Sequence, residues 1–313
     1  MQSNVFMVDS LAKKFSETFL LYMTDIKRFS KYYDLLFSNL EPSQKFFLLS
    51  IFTRTLFMAH GHVYLENTFT ENEIEEQGFL KKEFYPKIKP LEDGSFMYNN
   101  YILPINHFEA GVFYYELGIS VIQNPSKLEG RDFIDVGAYI GDSAIVLNNL
   151  NPSKIHAFEP VKYSYDLIFQ TMKLNMLEDR IIPVHMGLGA SAGEIELGIL
   201  DAASSALSWQ NDYNKPRETV KVDTIDNYVE RNNLDVALIK LDTEGMELDE
   251  IIGAEKTIKK FKPLLLVSIY HNAKEFFEIK PLLESWNLGY KFFFAKLNPE
   301  HLLFETVMIC EAG

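Results

Sequence analysis

Apolar positions change their spacing near residue 130. Before that point, "SLAKKFSETFLLYMTDIKRFSKYYDLLFSNL" places apolar residues three and four apart, the period of an amphipathic helix. "EPSQ", from Glu41, puts a proline into the first turn of a second helix. The apolar run "FFLLSIFTRTLFMAH" (Phe46 to His60) then reads as a buried helix. Ser50, Thr53 and Arg54 interrupt it, and it is shorter than the roughly 20 residues a membrane span requires. "ENEIEEQG" predicts an acidic helical piece, and the Pro-, Gly-, Tyr- and Asn-rich stretch from Phe84 to Asn106 predicts loops with short strands. Residues 1–106 are expected to form a helical cap with a small β-hairpin.

After residue 130 short apolar runs alternate with helix-length segments. The strand candidates are "DFIDVG", "KIHAFEP", "IIPVHMGLG", "EIELGIL", "TVKVDTI", "VALIKLDTEG", "PLLLVSIYHN", "YKFFFAKL" and "ETVMICEA". Nearly continuous apolar strands joined by helices predict an α/β fold with a mostly parallel sheet covered on both faces. Only a short turn around "NPEH" separates the last two, which predicts an antiparallel hairpin at the sheet edge. Residues 107–313 are expected to form this second domain.

Composition narrows the function classes. With 313 residues, 47% of them hydrophobic, the chain can bury a sizeable core. A formal net charge of −14, spread along the chain, makes its surface repel a polyanion, so a nucleic-acid partner is disfavoured. The single cysteine, Cys310, permits no intramolecular disulfide and reads as a small buried apolar residue of a reducing compartment. With no signal-peptide pattern at the N-terminus, a cytoplasmic location is expected. "HGH" (His60 to His62) is isolated and reads as a surface turn.

Candidate chemistry gathers at strand ends. "DVGAYIG" runs from a strand through Gly137 and Gly141 into a helix, a turn whose backbone N–H groups a ligand can approach closely. Its GxxxG spacing differs from the GxGxxG of dinucleotide folds. "KIHAFEP" ends a second strand with Glu159, 22 residues after Gly137, where such sheets place a carboxylate to accept hydrogen bonds from a ribose diol. Asp135 ends the first strand at the same edge.

"VALIKLDTEG" brings Lys240, Asp242 and Glu244 there as well, and Glu247 opens the next helix. Asp242 and Glu244 share one side of an extended segment and would repel, raising one pKa toward the range of a base unless a cation lies between them. Three readings follow: Asp242 as general base; a divalent metal held by some of Asp242, Glu244 and Glu247; or Glu244 and Glu247 as acids complementing a helix N-terminus. Lys240 would pair with them. "SIYHN" adds Tyr270, His271 and Asn272, with His271 either a base or a structural histidine. His107, Glu109, Tyr114 and Tyr115 are candidates to line the site from the cap side. A helix burying its aromatics accounts equally for the two tyrosines.

"FIDVGAYIGDSAIVL", "HAFEP" and "LIKLDTEGMELDEIIGAEKTIKKFKPLLLVSIYHN", in this order, resemble the FkbM-type family of S-adenosylmethionine-dependent methyltransferases. The resemblance spans residues 107–311, and "KLDTEGMELDEIIGAE" is its most specific part. It implies a seven-stranded Rossmann-like sheet with a reversed final hairpin and an O-methyltransferase. Asp135, Gly137, Ala138, Tyr139, Gly141 and Ser143 would then form the cofactor's methionine side, Glu159 would hold the ribose hydroxyls, and Pro160 with Val161 would lie near the adenine.

From the residues, Asp242, Glu244, His271 and Lys240 are the catalytic candidates, with the metal requirement open, and His107, Tyr115, Glu247 and Asn272 are substrate candidates. By the resemblance, the loop carrying Ser204, Ser205 and Trp209 would cross the active site and meet the substrate as well. "NHFEAGVFYYELGI" is similar to members found in bacterial surface-polysaccharide gene sets, which implies a sugar hydroxyl, nucleotide-linked or in a glycan precursor, as acceptor. The alternatives are another small natural product, such as a macrolide, and a non-catalytic module that binds S-adenosylmethionine and docks partners through its N-terminal helices. An exposed apolar stripe on the first helix would favour a homo-oligomer.

Overall fold

The computed structural model describes residues 2–60, 69–198 and 217–313, with side chains from residue 13 onward. Three helices open the chain: α1 (Gln2–Thr24), α2 (Ile26–Phe37) and α3 (Pro42–Ala59). The amphipathic run breaks between α1 and α2 at Asp25, whose carboxylate caps α2 by accepting the Arg28 N–H. A reciprocal capping box between Thr70 and Glu73 starts α4 (Glu71–Phe79). Strands β1 (Lys89–Pro90), β2 (Phe96–Tyr98) and β3 (Tyr101–Leu103) then form a small antiparallel sheet, and α5 (Ala110–Phe113) leads into the main sheet.

That sheet is assembled from β4 (Asp132–Val136), α6 (Asp142–Leu147), β5 (Ile155–Phe158), α7 (Lys162–Leu174) and β6 (Ile181–Val184) on one side. After β7 (Gly187–Leu188), β8 (Gly193–Gly198), β9 (Arg217–Asp223) and α8 (Ile225–Asn232), the chain returns with β10 (Val236–Leu241), α9 (Glu247–Gly253), α10 (Glu255–Phe261), β11 (Leu264–Ser268), α11 (Ala273–Ser285), β12 (Tyr290–Lys296) and β13 (Thr306–Ala312). The seven-stranded order is β12-β13-β11-β10-β4-β5-β6, parallel except for β13, which runs antiparallel to both of its neighbours. Strand order reverses between β4 and β10, and the crevice at the carboxyl ends there is where open α/β sheets bind ligands.

Two of the nine expected strands leave this sheet. β8 and β9 pair with each other and with β7 as a separate three-stranded sheet. Exposed and buried positions partly alternate along them, which suits a sheet with one wet face. The connection between β12 and β13 is also longer than a tight turn, running from Leu297 to Glu305.

Each face of the main sheet carries its own core. Phe19, Leu36 and Ile51 from the N-terminal helices meet Ile134, Ile239, Leu265, Phe276 and Phe277 on one face. Leu80, Phe84 and Phe113 meet Phe133, Leu238, Ile155 and Ile168 on the other. Both cores therefore draw residues from either side of residue 106.

The N-terminal helices are locked to α11 by polar contacts as well. Tyr22 Oη and Arg28 Nε donate to Glu278 at 2.8 and 2.7 Å. The buried Lys280 donates to the Leu35 and Ser38 carbonyls at the end of α2, at 3.2 and 2.9 Å. α3 is buried on one face only. Leu48, Ile51 and Phe52 face inward, whereas Phe46 and Phe57 are exposed, because a single side of this helix has a packing partner.

Candidate active site

The end of β4 is shaped by glycine. Gly137 has φ +73°, and a Cβ there would lie 1.9 Å from the Asp242 carbonyl oxygen, so only glycine lets the turn pass the end of β10. Tyr139 (φ +46°) and Gly141 (φ +83°) complete the left-handed turn into α6. The N–H groups of this turn are largely used within the protein, contrary to the expectation from the sequence. Those of Gly137 and Ala138 donate to the Phe158 carbonyl, that of Gly141 to Ala138, and that of Tyr139 to Glu159. Ala138 itself is buried in the core, so its part in any ligand contact is through backbone alone.

Beneath the turn lies a closed polar unit. Asp135 is fully buried; one carboxylate oxygen accepts from Ser143 Oγ at 2.6 Å and the other lies 3.1 Å from Lys240 Nζ. Lys240 also donates to the Gly137 carbonyl at 3.1 Å. Burial opposes the Lys240 charge, but Asp135, Asp242 and Asp142 outweigh it and hold the ammonium's pKa above its ordinary value. Lys240 is thus a fixed counter-ion holding the two central strand ends.

Glu159, at the end of β5, accepts the Tyr139 N–H at 3.0 Å and the Val161 N–H at 2.8 Å. Burial nevertheless pushes its pKa up to about 8, because two backbone donors and Lys240 only partly offset desolvation. Each of its oxygens accepts one backbone N–H and keeps a further lone pair. Pro160 follows it and accepts from His185 Nε2 through its carbonyl at 2.9 Å.

On the cap side, His107 packs edge-on against Tyr139, centroids 4.7 Å apart, and its Nε2 lies 3.3 Å from Glu109. Burial works against the imidazolium, but Glu109 and Asp142 lift its pKa to about 9. A cavity of about 370 Å³ opens here, lined by Tyr85, Ile88, Asn106, His107, Phe108 and Glu109.

The acidic turn after β10 forms the far side. Glu244 adopts φ +61° and Gly245 φ +115°, and Glu247 folds back to accept the N–H of Thr243 at 2.7 Å and of Gly245 at 3.1 Å. His271 Nδ1 lies 2.8 Å from Glu247 Oε1, and its Nε2 lies 3.7 Å from Asp242 and 3.8 Å from Glu244. Burial would raise Glu247, but His271 and the backbone donors hold it down at about 2. Conversely, the surrounding carboxylates lift His271 to about 10 against the effect of burial. Burial pushes Glu244 up to about 7. Asp242 and Glu244 remain about 30% exposed, at 29% and 32%, whereas His271 and Glu247 are sealed at 1% and 0%.

The structure therefore gathers Asp135, Gly137, Tyr139, Ser143, Glu159 and Lys240 at one end of the crevice, and Asp242, Glu244, Glu247 and His271 at the other. Asn272 uses its side chain to cap α11, accepting the Glu275 N–H at 3.0 Å. Tyr115 turns to α4 and donates to Glu76 at 2.9 Å. Tyr114 is 39% exposed, not buried with its neighbours. Ser204, Ser205 and Trp209 lie outside the described residues.

Two groups escaped the sequence reading. Asp142 is buried at the start of α6, where desolvation lifts its pKa to about 6. Its place directly after Gly141 is the signal that would have found it. Glu305 accepts from Tyr270 Oη at 3.3 Å, and the missing side chain of Gly111 makes room for it. No pattern in the β12–β13 connection marks that residue.

Comparison with known proteins matches this arrangement to one family. The model of the methyltransferase FkbM domain matches residues 135–292, about half of the chain. A crystal structure of methyltransferase FkbM from Methylobacillus flagellatus KT is 15% identical, with a TM-score of 0.58 over 92% of this chain and 60% of its own. The present chain thus spans 60% of that protein's length, less than two thirds. The M. jannaschii tRNA m1G37 methyltransferase is 15% identical over 77% of this chain and 67% of its own, with a TM-score of 0.35. Methanocaldococcus jannaschii Trm5 in complex with adenosine is 14% identical over 72% and 54%, with a TM-score of 0.37. Scores that low carry no weight for the fold. No curated protein matches the chain. The family match begins at Asp135 and runs through the glycine turn, Glu159, the acidic turn and His271 into β12, and on that match the chain belongs to the methyltransferase FkbM domain family.

Proposed function

We propose that the chain binds S-adenosylmethionine and transfers its methyl group to a hydroxyl oxygen of a sugar, in a glycan precursor of a bacterial surface polysaccharide. The observation that carries the cofactor reading is Glu159. It is a buried carboxylate at the switch-point edge, aligned by the Tyr139 and Val161 N–H groups and raised to a pKa of about 8 by burial. The surrounding charge supports the same reading. Asp142 and Glu109 lie on the side where the sulfonium and ammonium of this cofactor would need negative groups.

Bound there, S-adenosylmethionine supplies an electrophilic methyl group. The chain's own work is to align an acceptor hydroxyl in line with it and to take the hydroxyl proton as the new C–O bond forms and the C–S bond breaks. Asp242 and Glu244 are the two carboxylates of the acidic turn that reach the crevice, and Glu244 is the proton acceptor in this reading. The His271 and Glu247 side chains are sealed behind them, and Glu247 positions the imidazole. A neutral sugar ring suits this acidic lining better than a nucleotide diphosphate, which Glu109, Asp242 and Glu244 would repel. The sugar and its polysaccharide context rest on the family resemblance.

Calorimetric titration of S-adenosylmethionine and its demethylated product tests the cofactor. Micromolar binding is expected, weakened about 30-fold in Glu159→Ala, the worth of about 2 kcal/mol in hydrogen bonds to a charged group. Absence of binding to the wild-type chain would remove the proposal.

A further inference from the structure

The His271 side chain is sealed, and among the described residues neither ring nitrogen has a hydrogen bond of good geometry. Nδ1 lies 2.8 Å from Glu247 Oε1 as an ion pair, and Glu247 is itself fixed by the N–H groups of Thr243 and Gly245. In this orientation Nε2 faces Asp242 and Glu244. Both gaps, 3.7 and 3.8 Å, exceed hydrogen-bond length. They equal the separation of two ligands on one cation whose bonds are each about 2.1 Å long and meet at roughly 120°. Phe15 of α1 closes the pocket from behind, with its ring edge-on to His271 at 5.6 Å.

A sealed histidine with one nitrogen on a buried carboxylate and the other facing partly exposed carboxylates is the arrangement by which proteins orient a metal-ligating imidazole. The outer carboxylate fixes the tautomer and makes the free nitrogen a better donor. Asp242, Glu247 and His271 bring such donor atoms within 4.8 Å of one another. From this geometry we infer a divalent-cation site in which His271 Nε2 and Asp242 are the protein ligands and Glu247 is the group that orients the imidazole. One imidazole with carboxylate oxygen, the remaining positions open to water, is a mixed donor set that first-row divalent ions accept, and Mn²⁺ is the paramagnetic member that reports its own ligands.

The cation would stand at the carboxyl ends of β10 and β11, where it would fix and polarise an acceptor oxygen and leave Glu244 to receive the proton. The inference goes beyond the methyl-transfer reading and stands without it, because cation binding is measured with neither cofactor nor acceptor present.

The test is Mn²⁺ titration of chelator-treated full-length protein, followed by electron paramagnetic resonance. One Mn²⁺ per chain is expected, with ¹⁴N modulation of the bound ion's electron spin echo reporting the His271 imidazole without any mutation. Asp242→Asn should raise Kd at least tenfold and Glu247→Gln by about 10- to 100-fold, as for other groups that orient metal ligands. Circular dichroism melts confirm that each variant is folded. No binding at millimolar Mn²⁺, binding without ¹⁴N modulation, or an unchanged Kd in folded Asp242→Asn would each overturn the site.

Discussion

The two ends of the crevice solve the problem of buried charge in opposite ways. At the β4 end, Asp135 is matched by Ser143 and Lys240, and Lys240 is tied in turn to the Gly137 carbonyl, so each charge has its partner inside the protein. At the acidic turn, Asp242, Glu244 and Glu247 surround the His271 imidazole, Glu305 lies beyond them on the Tyr270 hydroxyl, and Glu250 and Glu275 are pushed well above the ordinary carboxylate range by burial. The first end is a closed unit that rigidifies the crossing of β4 and β10. The second carries more negative charge than its cations offset, the mark of a surface built to receive something positive or proton-donating. Removing a charge should therefore have opposite signs at the two ends.

The largest effect is expected at the closed end. Lys240→Met leaves Asp135 buried without its counter-ion and should destabilise the fold by about 3–5 kcal/mol in denaturant unfolding. Adding Asp135→Asn in the same chain should recover a substantial part of that loss, because the uncompensated charge is gone. If the double variant is no more stable than Lys240→Met alone, the compensated unit described above is wrong.

How much of this difference was legible in the sequence depends on which interaction encodes it. The continuous apolar runs of β4, β5, β10 and β11 announce strands buried on both faces, and a carboxylate 22 residues beyond the glycine turn announces Glu159. That these strands run parallel and share a C-terminal edge follows from the same pattern, so Asp242, Glu244 and His271 could be assigned to one edge. Pairing partners are not written in periodicity, and β8 and β9 look like any other strands until β7 is seen to join them in a sheet of their own.

Side-chain accounting is also invisible beforehand. Nothing in "DVGAYIG" says that four of its N–H groups are spent within the protein, nor does "YHN" say that Asn272 caps a helix while its neighbour is sealed between carboxylates. Glu305 arrives from a connection of nine residues with no regular pattern. The charge surplus is thus a tertiary property, assembled from segments that look unremarkable one at a time.

Glu159 lies between the two extremes, and pH measures how far it is compensated. Its folded pKa of about 8 is above the unfolded carboxylate value, so the unliganded protein keeps it mostly protonated at pH 7. A diol donates to the ionised form, so cofactor binding at pH 7 should release a proton. The affinity should then rise about tenfold between pH 7 and pH 9 as the carboxylate ionises without help. Calorimetry in buffers of different ionisation enthalpy reads both quantities. Glu159→Gln should bind more weakly, with a flat profile over that range; an equally steep rise in this variant would assign the titration to another group.

The smallest effect tests the surplus directly and carries the opposite sign from that of Lys240→Met. Burial, with Asp242 and Glu109 nearby, pushes Glu305 well above the ordinary range, while His271 and the Tyr270 hydroxyl only partly offset it. A carboxyl whose folded pKa is raised costs stability once the pH exceeds its unfolded value, and the cost grows until the folded pKa is reached. Glu305→Gln keeps a carbonyl oxygen for the Tyr270 hydroxyl and removes the charge. In chelator-treated protein it should stabilise the fold at pH 8 by about 1 kcal/mol, less than one pKa unit's worth, and the gain should vanish near pH 4, where the unfolded chain is protonated as well. Thermal melts across that range decide the matter. A destabilised variant at pH 8 would mean that Glu305 is held by partners as firmly as Asp135 is, and the contrast between the two ends would collapse to a difference in exposure alone.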